Sequence, residues 1–363
     1  MQSNQYSADA RLPPTRRSFS SQAKIGHAPA GCAVAEPIMN SLPNSEPVAV
    51  VGLGFLGRGI AASFLGHGFR VIAVEPDDAQ RTRAGDHIAS MIAEMIDLGG
   101  APQAMRSEWR TRYVPTPGFE LLADCTFVVE SVTEDPAIKH RAFECLEAVV
   151  GANVVIASNT SSIPISQLQQ GLKNPGRLIG MHWAEPAHAT RFMELIRGAQ
   201  TTTEALETAA VIARRLGKEP CICQQDIPAF IVNRIGYAMY REALHLLETG
   251  VADAETIDLA VRNALGLWAS ICGPFRWIDL SGGPEAYAKA LQRVFPTLSK
   301  ADEIPASMRK LAESGARGTA NGRGFFQYTP DEARHWDELY RRHAWRVAQM
   351  QNEYFHPNAD PHP

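Results

Sequence analysis

"PVAVVGLGFLGRGIAASFLGHGFRVIAVEPDD", residues 47–78, is the stretch that decides the fold. A valine-rich run over 48–51 leads directly into Gly52-x-Gly54-x-x-Gly57, and an Ala/Leu-rich segment of helical character follows to about Gly66. A second apolar run, Val71 to Val74, ends on Glu75. Strand, glycine loop, helix and strand in that order make a βαβ unit, and each glycine has a task. Gly52 permits the tight turn, Gly54 lets a pyrophosphate approach the backbone, and Gly57 lets the helix pack closely on the strand. Phe55 and Leu56 belong to the same loop, where free N–H groups at the helix start receive phosphates. Glu75 stands 18 residues past Gly57, where a carboxylate accepts the adenosine ribose hydroxyls. With Asp77 and Asp78 beside it, that carboxylate repels a 2′-phosphate, so the predicted cofactor is NAD and not NADP.

The alternation continues downstream. "CTFVVES" (125–131), "NVVIAS" (153–158), "RLIGMHW" (177–183) and "FMELIRG" (192–198) read as strands. Helices are predicted over 136–150 and 202–218, with a last short strand over about 220–223. After that the strand signal disappears. Residues 224–250 read as one long helix with Pro228 near its first turn, followed by helices over 253–266 and 284–295. A charged helix over 331–355 spaces Trp336, Leu339, Tyr340 and Val347 as one apolar stripe, to be packed on its own domain or on a partner subunit. The expected fold class is α/β: a Rossmann-type doubly wound, mostly parallel sheet followed by an all-α C-terminal domain. The expected divisions are an N-terminal arm over 1–46, a dinucleotide-binding domain over 47–227, a helical domain over 228–329, and an appended helix and tail over 330–363.

Bulk properties agree with a soluble enzyme-sized chain. It has 363 residues, 45% of them hydrophobic and 20% charged, and a formal net charge of −4. No basic stretch points to nucleic acid, and no apolar run approaches the ~20 residues of a membrane span. Of the six cysteines, only Cys221 and Cys223 are close, with no second pair or histidine cluster behind them; no metal site is expected, and a reducing cytoplasm is. The first 46 residues, rich in Ser, Gln, Pro and Arg, have the composition of a disordered arm. "TRRSF" (15–19) resembles a twin-arginine export signal but lacks the apolar region that should follow, a transit peptide fits the scarcity of acids, and translation from Met39 fits equally.

The chemistry is concentrated in "IGMHWAEPAHATRFMELI" (179–196), where His182, Glu185, Arg191 and Glu194 interrupt an apolar strand. A histidine among apolar neighbours is most often a core side chain satisfied locally. The rest of the sequence turns that reading. "GLGFLGRGIA", "VVESVTEDPAIKH", "SNTSSI", "GMHWAEP" with "FMELI" after it, "IPAFIVNRI", "CGPFRWIDLSGG" and "GRGFFQY" together resemble the L-3-hydroxyacyl-CoA dehydrogenase family, over about residues 48–328.

The resemblance implies roles residue by residue. His182 matches the catalytic base, Glu194 its supporting acid twelve residues on, Ser161 and Asn233 the substrate contacts, and Glu134 and Lys139 the nicotinamide-side contacts. An imidazole suits proton transfer because its ordinary pKa of about 6.5 lies near working pH. A carboxylate on its other nitrogen fixes the tautomer and stabilises the imidazolium, an attraction of order 4 kcal/mol at about 4 Å and an effective dielectric near 20. The resemblance also implies a homodimer and a place in fatty acid metabolism. A non-catalytic NAD-binding protein would have no reason to retain Ser161, His182, Glu194 and Asn233 together.

Three departures bear on the substrate. Trp183, Ala184 and Glu185 replace the two phenylalanines and the asparagine of the family's histidine motif. Glu185 would favour a cationic or hydroxyl-rich substrate; otherwise it is a surface acid or a partner of Arg191. The serine and lysine that touch coenzyme A in the family fall on Met91 and Leu98, with Arg106, Arg110 and Arg112 nearby as candidate replacements. The glycine of the P-G-F motif is Ala229, which would be strained at positive φ, so a slightly shifted hinge is expected there. A 3-hydroxyacyl thioester is the first expectation, a free 3-hydroxy acid of the carnitine or gulonate type the second.

Overall fold

In the computed structural model, β1 (Pro47–Val51) is buried along its whole length, and Gly52, at φ +93°, turns the chain into α1 (Phe55–Gly66). The described residues are 46–355; the expected N-terminal arm, its "TRRSF" motif, Met39 and Cys32 lie outside them. β2 (Arg70–Val74), α2 (Asp78–Asp97), α3 (Met105–Arg112), β3 (Tyr113–Thr116), β4 (Phe127–Glu130), α4 (Pro136–Val149) and β5 (Val155–Ser158) continue the alternation. A one-turn α5 (Ile165–Leu168) then leads to β6 (Leu178–His182), β7 (Phe192–Ile196), α6 (Thr203–Arg215) and β8 (Glu219–Cys223).

Among the described residues, eight strands form one sheet in the order β3-β2-β1-β4-β5-β6-β7-β8. Its pairs are parallel except β6 with β7, whose antiparallel register sets His182 opposite Glu194. The strands read as nearly continuous apolar runs because helices cover both faces. Phe64, Ile88 and Ala209 lie in the core on one face, and Phe143, Leu146 and Leu168 in the core on the other. β3 was not legible: "YVPT" is four residues long with a proline inside, which suits only the sheet edge it occupies.

The helical half corrects two expectations. The helix expected over 224–250 is α7 (Val232–Glu248), and Pro228 lies outside it. Ala229 and Phe230 hold φ of +66° and +53°, which no right-handed helix can contain. Alanine therefore occupies a left-handed position itself. α8 (Ala254–Ala260) runs through a π-helical turn over 261–265 into α9 (Gly266–Ala269), followed by α10 (Pro274–Leu280), α11 (Gly283–Val294) and α12 (Ala306–Glu313). No residue described in α7 to α12 is fully buried in the single chain.

α13 (Pro330–Phe355) packs back on its own chain through Trp345 and Ala348, outside the expected stripe, which the single chain leaves to the partner-subunit alternative. Trp336, Leu339 and Tyr340 are about half exposed, at 51%, 45% and 52%, while Trp345 and Ala348 are buried. Trp345 packs with Met95 and lies so close to Gly99, at the end of α2, that a Cβ there would meet its ring at 2.4 Å.

Candidate active site

The glycine loop is built as a dinucleotide cradle. A Cβ on Gly57 would lie 1.9 Å from the Gly52 carbonyl oxygen, and one on Gly52 would lie 2.6 Å from that of Ser131. Around Gly54, by contrast, a Cβ would meet nothing within 4 Å, so the space over that backbone is open. α1 has no side-chain cap and no acid in its first turn, leaving its N–H groups available to an anion. Phe55 is 62% exposed beside the loop, and Leu56 is partly buried. Glu75 is nearly buried at the end of β2. Its carboxylate accepts the Leu53 N–H at 3.0 Å, Gln80 Nε2 at 2.7 Å and the Asp77 N–H at 3.2 Å, which ties it to the glycine loop. Asp77 caps α2 by accepting the Gln80 N–H at 2.7 Å. These residues fit an adenine dinucleotide.

At the other end of the crevice, the β6–β7 register brings His182 Nδ1 to 2.7 Å from Glu194 Oε2, both side chains being buried. The second oxygen of Glu194 accepts the N–H groups of Ile231 and Val232, each at 3.0 Å, at the start of α7. One residue on, Asn233 Nδ2 donates to the Ser161 carbonyl at 3.1 Å. Ser161 Oγ is 3.4 Å from Glu134 Oε1, and that oxygen also accepts from the Thr160 hydroxyl and from the Ser161 and Ser162 N–H groups. Ser161, His182, Glu194 and Asn233, 72 residues apart at the extremes, are thus linked by hydrogen bonds through the backbone at the start of α7.

Lys139 is fully buried. Its ammonium lies 2.8 Å from Glu130 and 3.3 Å from Glu134, so it reaches the crevice through Glu134. Burial works to raise the Glu134 carboxyl, but the Thr160 hydroxyl, the Lys139 ammonium and the Ser161 N–H outweigh it and hold the group below its ordinary value. Glu134 therefore stays anionic and orders the loop 159–162.

Several groups were not singled out in the sequence. Glu130, buried within β4, also accepts from Ser158 at 2.6 Å. Asn159 joins Ser131 to the Trp183 N–H. Lys218 is buried under the loop leaving His182, donating to the carbonyls of Ala187 (2.6 Å) and Thr190, with its ammonium 5.3 Å from the Trp183 ring. Burial pushes that amine down to about 7. None of these has a local sequence signal, because each partner lies far along the chain. Glu185 does not pair with Arg191, which is engaged by Glu219 and Asn352.

Two family models match almost all of the described chain: 3-hydroxyacyl-CoA dehydrogenase, NAD binding domain, over 47–227, and 3-hydroxyacyl-CoA dehydrogenase, C-terminal domain, over 230–328. The chain belongs to the 3-hydroxyacyl-CoA dehydrogenase family. As a member it is an NAD-dependent dehydrogenase acting on CH–OH groups. This dehydrogenase is 30% identical to 5-formyl-3-hydroxy-2-methylpyridine 4-carboxylate 5-dehydrogenase of Mesorhizobium japonicum, over 79% of its own length and 92% of that protein's. It is 34% identical to L-carnitine dehydrogenase of Nocardiopsis dassonvillei, over 76% and 85% of the two chains. The crystal structure of the first enzyme type superposes with a TM-score of 0.79 at 28% identity, covering 84% of this chain and 98% of that one. That of (S)-3-hydroxybutyryl-CoA dehydrogenase from Ralstonia eutropha gives 0.64 at 30% identity, covering 78% and 99%.

Proposed function

We propose that this dehydrogenase interconverts a free 3-hydroxy acid and its 3-oxo partner, with His182 moving the proton. The observation that carries the catalytic assignment is the 2.7 Å contact between His182 Nδ1 and Glu194. It commits Nδ1 to the carboxylate and leaves Nε2 for the substrate hydroxyl, while Glu194 stabilises the imidazolium that forms. Bound NAD supplies the hydride acceptor. Ser161 and Asn233 hold the substrate oxygen, and Glu134, kept anionic over Lys139, orders the nicotinamide side of the pocket. Gly52, Gly54, Phe55, Leu56, Gly57 and Glu75 hold the rest of the cofactor.

The choice of a free acid over a coenzyme A thioester has two supports. Met91 and Leu98 offer no charge or hydroxyl where the family resemblance places its coenzyme A contacts, and α13 lies along that same helix. Gln349 donates to the Leu98 carbonyl at 2.6 Å, and Arg341 pairs with Glu94. Two curated relatives matched over most of their length are named for a pyridine carboxylate and for L-carnitine, free acids both. A 3-hydroxyacyl thioester, and with it a role in fatty acid metabolism, is the second reading, favoured by the likeness to (S)-3-hydroxybutyryl-CoA dehydrogenase.

The working form is a homodimer in a reducing cytoplasm. The half-exposed apolar side chains of α7, Ile235, Tyr237 and Tyr240, need a covering surface, and the five described cysteines are free thiols. The division into a sheet domain over 47–227, a helical domain over 228–329 and an appended helix belongs to the same reading. NADH oxidation against acetoacetate, acetoacetyl-CoA and its pantetheine thioester tests it. Turnover of the free acid is expected; preference for the coenzyme A form over the pantetheine form reverses the substrate choice, and no turnover across a wider 3-oxo panel overturns the catalytic one.

A further inference from the structure

The turn over 229–233, which enters α7, reaches Ser161, His182 and Glu194 in one short run. The Ala229 N–H donates to the Ser162 carbonyl at 3.4 Å, next to Ser161. The Phe230 ring lies against the His182 imidazole, with centroids 5.9 Å apart and planes tilted by 57°. The Ile231 and Val232 N–H groups bind Glu194 at 3.0 Å, and Asn233 binds the Ser161 carbonyl at 3.1 Å. The polar contacts belong to the site already described. The Phe230 contact with the imidazole has no part in it so far.

The imidazole needs more than its one bond. Glu194 holds Nδ1 at 2.7 Å, which fixes one atom of the ring and leaves Nε2, where the proton is to be moved, free to swing about that contact. A displacement of about 1 Å at a reacting atom is enough to cost about a hundredfold in rate. Two aromatic rings meet the imidazole: Phe192, on β7, edge-on at 5.9 Å and 88°, and Phe230. Phe230 is fully buried, in the core that also holds Ile196 and Cys223, whereas Phe192 is only partly buried. The Phe230 backbone is uncommon too. It holds φ +53° directly after Ala229 at +66°, a conformation rare for a bulky side chain, and its N–H closes the turn on the Ile227 carbonyl at 3.1 Å. A phenylalanine that only fills a core can be supplied from ordinary backbone. Here a left-handed turn brings the ring and the helix start onto the His182–Glu194 pair together, and strain of this kind clusters at functional sites.

We propose that Phe230 is a positioning residue for the proton transfer: its ring, with Phe192 as the second wall, holds the His182 imidazole so that Nε2 faces the substrate hydroxyl while Glu194 holds Nδ1. It acts through His182 and moves no proton itself. The inference rests on the dehydrogenase reading above and adds a residue to its machinery. Because the ring matters to the rate only while the His182–Glu194 pair is intact, its effect is coupled to that of Glu194. That coupling separates positioning from core filling.

The test measures kcat, KM, NADH binding and urea unfolding for the full-length wild type, Phe230→Leu and Phe69→Leu, on a 3-oxo substrate that the wild type turns over. Phe69 is also buried, at 2% exposure, and packs edge-on against Phe64 at 5.3 Å, but it stands before β2, at the other end of that strand from Glu75. Each variant loses a buried ring, and both should lose stability. Phe230→Leu should lower kcat about tenfold or more, with NADH binding and substrate KM within about twofold of wild type, whereas Phe69→Leu should keep kcat within about twofold. On a Glu194→Gln background, the further fall in kcat from Phe230→Leu should shrink to about threefold or less, as for residues that act as a unit. Phe230→Met, which fills the space with a flexible chain and no ring, carries the same expectations if the Leu variant does not fold. Equal kcat in the Phe230 and Phe69 variants, a loss confined to KM, or an undiminished fall on the Glu194→Gln background overturns the proposal and leaves the dehydrogenase standing. A wild type that turns over no member of a 3-oxo panel sinks the dehydrogenase reading, and the proposal with it.

Discussion

Glu194 divides its carboxylate, giving one oxygen to His182 Nδ1 at 2.7 Å and the other to the first N–H groups of α7 at 3.0 Å. The acid that supports the imidazole is thus also the anion that stabilises the start of the helix carrying Asn233. Catalytic geometry and the junction between the sheet and helical halves share one side chain.

Glu194→Gln separates those two tasks. The amide oxygen can still accept from Ile231 and Val232, so stability should change by no more than about 1 kcal/mol, while kcat should fall by about a hundredfold or more because the imidazolium loses its counter-charge. Glu194→Ala should lose activity and also about 2–3 kcal/mol of stability. Denaturant unfolding beside steady-state kinetics checks both; equal stability losses in the two variants would contradict the shared role.

His182→Gln should abolish turnover, with a loss of about a thousandfold or more in kcat, and leave NADH binding as it was. The glycine loop and Glu75, proposed to hold the adenosine side, are separate from this side chain. Fluorescence titration of NADH beside an activity assay decides it; unchanged turnover removes His182 from the reaction.

Ala229→Gly should stabilise the fold. Ala229 sits at φ +66°, where a Cβ costs on the order of 1 kcal/mol, partly offset by the greater freedom of glycine in the unfolded chain. A net gain of about 0.5–1 kcal/mol is expected by denaturant unfolding. Loss of stability would show that the left-handed turn carries no strain.

Lys218 gives a pH signature. Its folded-state value is lowered to about 7 from 10.5, so between those limits the unfolded chain binds the extra proton. Stability should therefore rise with pH across that window, by up to about 1.4 kcal/mol per unit from this group, and the penalty should be fully present below pH 7. A neutral amine still has two N–H bonds for the carbonyls of Ala187 and Thr190. Lys218→Met should remove that part of the slope; identical slopes in wild type and variant would place a charged lysine in the core.

Much of the site was legible because its signals are local. Gly52, Gly54, Gly57 and Glu75 serve one turn and one strand end, and their spacing is set by the length of a single βαβ unit. His182 and Glu194 were paired through the family resemblance and its twelve-residue spacing, and the antiparallel β6–β7 register gives that spacing its physical reason. The α7 start was read wrongly, and the buried side chains of α13 were not foreseen, for the opposite reason. Periodicity records which residues are apolar, whereas the backbone at Ala229 and the contact of Trp345 with Gly99 depend on what lies across from them.

The sequence by itself determined the dinucleotide fold and the cofactor, since strand, glycine loop and acid must follow one another along the chain to work at all. Only the tertiary structure decided that Lys139 is buried beneath Glu134, that Arg191 pairs with Glu219 and not Glu185, and that Tyr340 reaches the Glu185 carbonyl instead. Those outcomes come from long-range packing, where a buried charge takes whichever partner the fold brings within reach, and no spacing along the chain records which one that is.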